Sequence, residues 1–199
     1  VTIFDPRALT KSEIYYLLTS SVVPRPIALV TTRSDAGVLN AAPFSFFNAV
    51  SSDPPTLLLA IDRRSGKMKD TSRNIIDQKE YVVNVVTEEI AEAMNITSAT
   101  LPRDVSEISK AGFTVLPSVR VSVPRIAESH IHFECILSQW LPIGNGPTDL
   151  ILGEILMIHV DPGVLSGDRV DPRTLRAVGR LSGSGYCRTT DIFEMRRPP

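Results

Sequence analysis

Two long apolar runs, "HIHFECILSQWLPI" (130–143) and "DLILGEILMIHVDP" (149–162), are separated only by "GNGPT". Five residues of turn type are too few for the crossover that parallel strands need, which takes a dozen residues or more. The runs therefore read as two long strands joined by a turn. The rest of the chain repeats this at shorter scale. "PRPIALVTTR" (24–33) is a β-branched strand with proline at its entry, and "SDAG" (34–37) is a turn. "VLNAAPFSFF" (38–47) is the returning hairpin partner. "PTLLLAIDR" (55–63), continuously apolar, reads as a buried strand, and "YVVNVVT" (81–87) as another.

Helical signals are short. Thr10-Lys11-Ser12-Glu13 is a capping box opening a helix with Ile14, Leu17 and Leu18 on one side. "KDTSRNIIDQ" (69–78) is helical with Asp70 or Thr71 as N-cap, and "EEIAEAMN" (88–95) is a short helix. "ATLPRDVSEISKAG" (99–112) mixes loop with a helical turn. "PRTLRAV" begins a last helical turn before the glycine-rich "GRLSGSGYCR". Many closely spaced strands with few helices predict an antiparallel barrel or sandwich, in one domain over residues 1–199.

Composition narrows the function classes. At 43% apolar and 22% charged the chain is ordinary globular protein rather than disordered. With 21 Lys+Arg against 22 Asp+Glu it carries no basic excess for nucleic acid or an anionic membrane. No run approaches a membrane span, and no signal peptide is visible. Cys135 and Cys187 lack CxxC spacing and fit free thiols in a reducing cytoplasm. His130 and His132 share a face if the segment is a strand, which suits the polar side of a half-exposed sheet.

Several chemistries are missing. "GNG" at 144 and "GSG" at 183 lack the third glycine and the strand-to-helix setting of a dinucleotide fingerprint. No GxxxxGK[ST], GxSxG or HExxH occurs. "DVSEIS" and "TEEIAE" read as solvated helix faces, so no acid–base pair stands out.

Two patches remain. "NAAPFSFFNAVSSDPP" (40–55) breaks both helical and strand periodicity, with Phe44, Phe46 and Phe47 among Ser45, Asn48 and Ser51. A planar heteroaromatic ring uses both features, apolar contact on its faces and hydrogen bonds at its edge. The same stretch also fits a strand running into a serine turn. "KMKDTSRN" (67–74) places Thr71 and Ser72 hydroxyls and the charges of Lys67, Lys69 and Arg73 at a helix N-terminus, a phosphate seat. It also fits an ordinary surface helix. Taken together, the patches suit a ligand with a flat polar ring and a phosphate, the shape of FMN.

In order along the chain, "RPIALVTT" (25–32), "NAAPFSFFNAVSSDPP" (40–55), "KDTSRNI" (69–75), "EYVVNVV" (80–86), "GEI" (153–155) and "GRLSGSGY" (179–186) resemble the flavin reductase-like family of FMN-binding split barrels. That family contains flavoredoxin and the reductase components of two-component monooxygenases. The resemblance covers roughly residues 10–190. It implies a six-stranded antiparallel split barrel of Greek-key type, usually a homodimer, with FMN at its edge near the partner subunit. By the same resemblance, Pro43, Phe44, Ser45, Phe46, Phe47, Asn48 and Val50 would follow the isoalloxazine, Ser51 the ribityl-phosphate arm, and Asn40 would also bind the cofactor. Lys69, Asp70, Thr71 and Asn74 would lie near the phosphate. Arg25 and Arg180 would serve the phosphate or the dimer contact. The implied reaction is hydride transfer from NADH or NADPH to FMN, with reduced flavin passed to a partner monooxygenase. No catalytic side chain and no metal are then required, because the cofactor carries the chemistry.

One feature departs from the family. Several of its reductases carry a histidine shortly before the Gly-Glu pair, near the nicotinamide. This chain reads "TDLILGEI" there, with Asp149 and no histidine, and His159 further on reads as a structural strand residue. A flavoredoxin-like electron carrier, an FMN enzyme acting directly on a small organic molecule, and a flavin sensor are the alternatives.

Overall fold

The structure, a computed structural model, describes residues 1–198. Helix α1 (Lys11–Ser21) begins at the predicted capping box: Glu13 N–H donates to Thr10 Oγ1 at 3.3 Å, and Thr10 N–H to Glu13 Oε2 at 2.8 Å. Then come β1 (Ala28–Arg33), β2 (Leu39–Phe44), β3 (Phe47–Ser52) and β4 (Pro55–Asp62). Helix α2 (Asp70–Gln78), β5 (Glu80–Val85), α3 (Ala91–Ile96) and α4 (Glu107–Ala111) follow. The short strands β6 (Val115–Leu116) and β7 (Arg125–Ile126) lead into β8 (Ile131–Ile143) and β9 (Thr148–Val160). Strands β10 (Leu165–Ser166) and β11 (Arg169–Val170), helix α5 (Pro172–Leu175), and strands β12 (Val178–Arg180) and β13 (Tyr186–Arg188) complete the chain.

The main sheet is antiparallel, in the order β2-β1-β5-β8-β9-β4-β3. Its two edges, β2 and β3, are consecutive in sequence and joined through Ser45 and Phe46 alone. Such a short link forces the sheet to curl until its edges meet. The curl encloses one core, in which Ala28 and Val30, Phe44, Leu57, Leu59 and Ile61, Tyr81 and Val83, Cys135 and Ile151 touch across the barrel. Ile75 of α2 joins this core. A second cluster lies outside β1 and β2, where Leu29 and Ala41 pack with Met94, Ile108 and Phe113. Burial on both faces explains why β1 opens with three consecutive apolar residues, Ala28–Val30, and why Thr31 and Thr32 after them are buried as well.

Three expectations need correction. The sheet has seven strands, not six, because residues 47–52 are an edge strand rather than irregular chain. Strand β4 is not buried throughout: Leu57, Leu59 and Ile61 alternate inward while their neighbours stay half-exposed. The N-cap of α2 is Lys69, not Asp70 or Thr71, and no side chain caps the helix. Asp70 instead faces Arg73 and Arg103, at 3.7 and 3.8 Å, and Thr71 accepts a bond from Asn40.

Candidate functional site

A cleft of about 750 Å3 opens where the end of β2, the turn after β4, the start of α2 and the segment after α3 meet. Seven of the residues predicted from sequence line it: Asn40, Pro43, Phe44, Lys67, Lys69, Asp70 and Thr71. Asn40 Nδ2 donates to Thr71 Oγ1 at 3.1 Å, which ties β2 to the first turn of α2. Without a side-chain cap, that first turn leaves backbone N–H groups free for an outside acceptor. Lys69 has no carboxylate within ion-pairing distance among the described residues; its ammonium lies 5.3 Å from the centre of the Phe44 ring. Lys69 keeps contact with solvent, yet the cleft walls desolvate the amine enough to hold its pKa below the ordinary lysine value, against the pull of Asp62.

The remaining predicted residues lie outside the cleft. Ser45 and Phe46 form the bend that continues from Phe44, and Phe47, Asn48, Val50 and Ser51 belong to β3. That strand pairs only with β4, so its outer edge presents unpaired backbone groups. Asn48 Oδ1 accepts from Ala49 N–H at 2.9 Å, Ser51 Oγ accepts from Asp53 N–H at 3.2 Å, and Val50 is exposed. Asn74, on the buried side of α2, donates to Thr32 Oγ1 on β1 at 3.0 Å.

Arg25 and Arg180 sit at a junction of their own. Arg25 donates to the carbonyls of Thr19 and Val22, both at 2.7 Å, and of Leu181 at 3.0 Å, with Ser45 Oγ at 3.4 Å. Arg180 donates to Gly185 O at 2.8 Å and Gly183 O at 2.5 Å, and its backbone pairs with that of Arg25. The Arg25 guanidinium ties the end of α1 to Leu181 and the Ser45 bend, while that of Arg180 closes the turn between β12 and β13.

Sequence reasoning missed the opposite wall, Thr97–Leu101, and Glu107 of α4. Glu107 Oε2 accepts from Ala41 N–H at 3.2 Å; burial, with Asp70 nearby, pushes its pKa up against those backbone bonds. The hydroxyl-rich "TSAT" (97–100) was the available signal, but only the packing of α3 and α4 on β2 carries it to the cleft.

Arg63, which also lines the cleft, donates to Asp149 Oδ1 from Nη2 at 2.8 Å and from Nε at 3.1 Å. Trp140 Nε1–H reaches the same oxygen at 3.0 Å. Asp149, at the place where several family reductases carry a histidine, is thus fully buried and committed.

The histidines lie elsewhere. His130 precedes β8 and bonds Asp161 at 2.9 Å, so it does not share a strand face with His132. His132 is buried rather than half-exposed, with Nε2 donating to Ile126 O at 2.8 Å. His159, opposite it on β9, bonds the buried Glu134 at 2.5 Å, the structural role expected. Burial pushes the Cys135 thiol far above the ordinary range, so it is no nucleophile. Among the described residues no group of three or more His, Cys, Asp or Glu is placed to hold a metal ion, and no helix is long and apolar enough to cross a membrane.

One large antiparallel sheet, curled so that β2 and β3 are its two edges, matches the split-barrel fold of the flavin reductases. Residues 19–174 match the model of the flavin reductase like domain, and the chain belongs to that family. An uncharacterized protein of Halalkalibacterium halodurans is 41% identical, covering 98% of this chain and 95% of its own. The crystal structure of nitrilotriacetate monooxygenase component B from Bacillus cereus is 37% identical, covers 98% of both chains and superposes with a TM-score of 0.95. The 2-nitrobenzoate 2-nitroreductase of Pseudomonas fluorescens is also 37% identical, with a TM-score of 0.90 over 99% of this chain and 96% of its own. The family implies flavin use and supports an oxidoreductase role.

Proposed function

We propose that this chain, as one domain, is an FMN-binding flavin reductase that takes hydride from NADH or NADPH and supplies reduced flavin to a partner monooxygenase. The observation that carries this reading is continuity. The uncapped start of α2, with Lys69 and Thr71, shares one cleft with Pro43 and Phe44, and the chain runs on from there through the bend to the open edge of β3. These groups fit FMN: free N–H groups and an unpaired ammonium for the phosphate, and aromatic surface with edge-strand amides for the ring.

Bound FMN would supply a hydride acceptor. The protein's part is to bind and orient it, which requires no activated side chain. Association as a homodimer and a cytoplasmic location belong to the same proposal. The relative that is a monooxygenase component supports an oxygenase partner.

A second reading, an electron carrier with no pyridine-nucleotide site, is favoured by Asp149. Arg63 and Trp140 close off that position, leaving no free titratable group there. Direct action on a small organic molecule is a third reading, supported by the likeness to a nitroreductase.

The deciding experiment is a visible spectrum of purified protein with FMN, then anaerobic addition of NADH and of NADPH. A bound flavin that bleaches with either donor supports the reductase. A bound flavin that ignores both moves the function to the second or third reading. Failure to bind FMN overturns all three.

A further inference from the structure

Strands β8 and β9 meet the cleft at their Ile143–Thr148 end, where Thr148 bonds the cleft residue Asp62. At their other end lies a second pocket, of about 480 Å3, whose lining includes Arg125, His130, His132, Ile158, His159 and Asp161. His132 and His159 are directly opposed across the two strands, so both side chains leave the same face of the sheet. Their ring centres lie 6.1 Å apart, with the ring planes at 77°.

The hydrogen bonds of each ring fix which nitrogen is free. Ile126 O can only accept, so His132 Nε2, 2.8 Å away, carries the proton and Nδ1 keeps a bare lone pair. That Nδ1 is buried and has no partner among the described residues, and an unpaired buried acceptor is costly. The Glu134 carboxylate likewise accepts from His159 Nε2 at 2.5 Å, which leaves Nδ1 as the free nitrogen of His159. A metal-ligating histidine has this arrangement: the N–H given to a carbonyl or carboxylate fixes the tautomer and raises the basicity of the other nitrogen. Two imidazoles sharing one ion through bonds of about 2.0–2.1 Å have ring centres roughly 5–6.5 Å apart, a span that this pair meets. The other polar side chains on the rim are engaged: His130 with Asp161 and Glu89, Asp161 also with the Gly163 N–H, and Arg125 Nε and Nη2 with Pro117 O.

We propose that His132 and His159 bind a divalent d-block ion of the Zn2+ type through their Nδ1 atoms, bridging β8 and β9. The chain supplies only these two nitrogens, and water fills the remaining positions, for which the pocket has room. This site is independent of the flavin reading.

The test is calorimetry of Zn2+ binding to the chelator-treated full chain, paired with thermal melting with and without the ion. Wild type should take up one Zn2+ per chain and melt higher with it bound, as a ligand of the folded state requires. His159→Gln removes a partly exposed ring and keeps an amide to meet Glu134, so melting without the ion should show the variant folded. It should bind Zn2+ at least about tenfold more weakly and lose the rise in melting temperature. His132→Gln should do the same where it folds. His130→Gln, in the same pocket, should change the affinity less than about threefold. Lack of stoichiometric binding to wild type, binding that survives His159→Gln, or an equal loss in His130→Gln overturns the proposal. So does a loss that follows Cys187→Ser instead.

Discussion

Asn40 on β2 and Thr71 in the first turn of α2 are joined by a 3.1 Å side-chain hydrogen bond. This bond fixes where the free N–H groups of α2 point relative to Phe44. Replacing Asn40 with alanine removes a contact worth about 0.5–1.5 kcal/mol, so FMN affinity is expected to fall roughly two- to tenfold. Riboflavin affinity should fall less, because the bond orients a phosphate seat. Equal losses for both ligands, read by fluorescence quenching, would place the phosphate elsewhere.

Lys69→Met tests the charge rather than the geometry. The ammonium has no ion-pair partner among the described residues, and the cleft walls desolvate it in part while it keeps contact with solvent, so an incoming phosphate dianion meets an unpaired cation. FMN affinity is expected to fall by about ten- to a hundredfold, with riboflavin nearly unaffected. The FMN loss should shrink as salt rises, since screening weakens the wild-type contact. An FMN affinity that is insensitive to the substitution removes Lys69 from the site.

The parts of the molecule written in local sequence were legible. Thr10 and Glu13 announce the start of α1 because both halves of the capping box lie within one turn. The β8–β9 pairing follows from five turn residues between two long runs. What escaped depends on distant neighbours. Phe47–Ser52 looks irregular because its outer edge has no strand partner and one flank is a two-residue bend. His132 reads as a polar surface residue, yet the chain from Ile126 covers it and accepts its N–H. The chemistry of the stretches holding Asn40 and Lys69 pointed to one ligand, and the resemblance added which of their residues would meet it. The wall at 97–101 had no such guide, since it reaches the cleft through the packing of Met94 and Ile108 on Ala41.

Asp149 and Arg63 form a pair that is buried on the carboxylate side, with Trp140 completing the hydrogen bonds. Removing the carboxylate strips Arg63 and the Trp140 N–H of their shared acceptor, while Arg63, part-exposed at the cleft, regains water. Asp149→Ala is therefore expected to cost about 1–3 kcal/mol of folding stability in urea unfolding. A loss below about 1 kcal/mol would show that water replaces the carboxylate freely.

Glu134 accepts three backbone N–H bonds, from Val119, Arg120 and Val121, and a fourth bond from His159. Burial alone would raise its pKa, but these donors together hold it below the ordinary carboxylate value. The unfolded chain therefore takes up this proton first as pH falls. The stability due to Glu134 is complete above the unfolded pKa of about 4.3 and is lost as pH drops through the lower folded value. Glu134→Gln should lower stability at neutral pH by on the order of 1–3 kcal/mol and flatten the acid limb of the stability curve. An unchanged acid limb, measured by urea unfolding between about pH 6 and 3, would assign that limb to other carboxylates.

Gly153, in the "GEI" stretch, lies in β9 with Leu57 opposite on one side and Leu137 on the other. Pinned between two strands, its backbone has little room to shift. A Cβ there would lie 1.8 Å from the Tyr81 hydroxyl oxygen and 2.6 Å from the ring carbon that bears it. Tyr81 is fully buried in the barrel core, so its ring cannot swing into solvent. Gly153→Ala is therefore expected to destabilise the fold by about 1–3 kcal/mol or more, as overpacking does. The nearest atom belongs to the hydroxyl, so the same substitution should cost less in a Tyr81→Phe background. A double-mutant cycle by urea unfolding reads this as a coupling of at least about 0.5 kcal/mol. Additive effects would mean that the close approach of β9 to some other group, rather than to Tyr81, is what demands glycine.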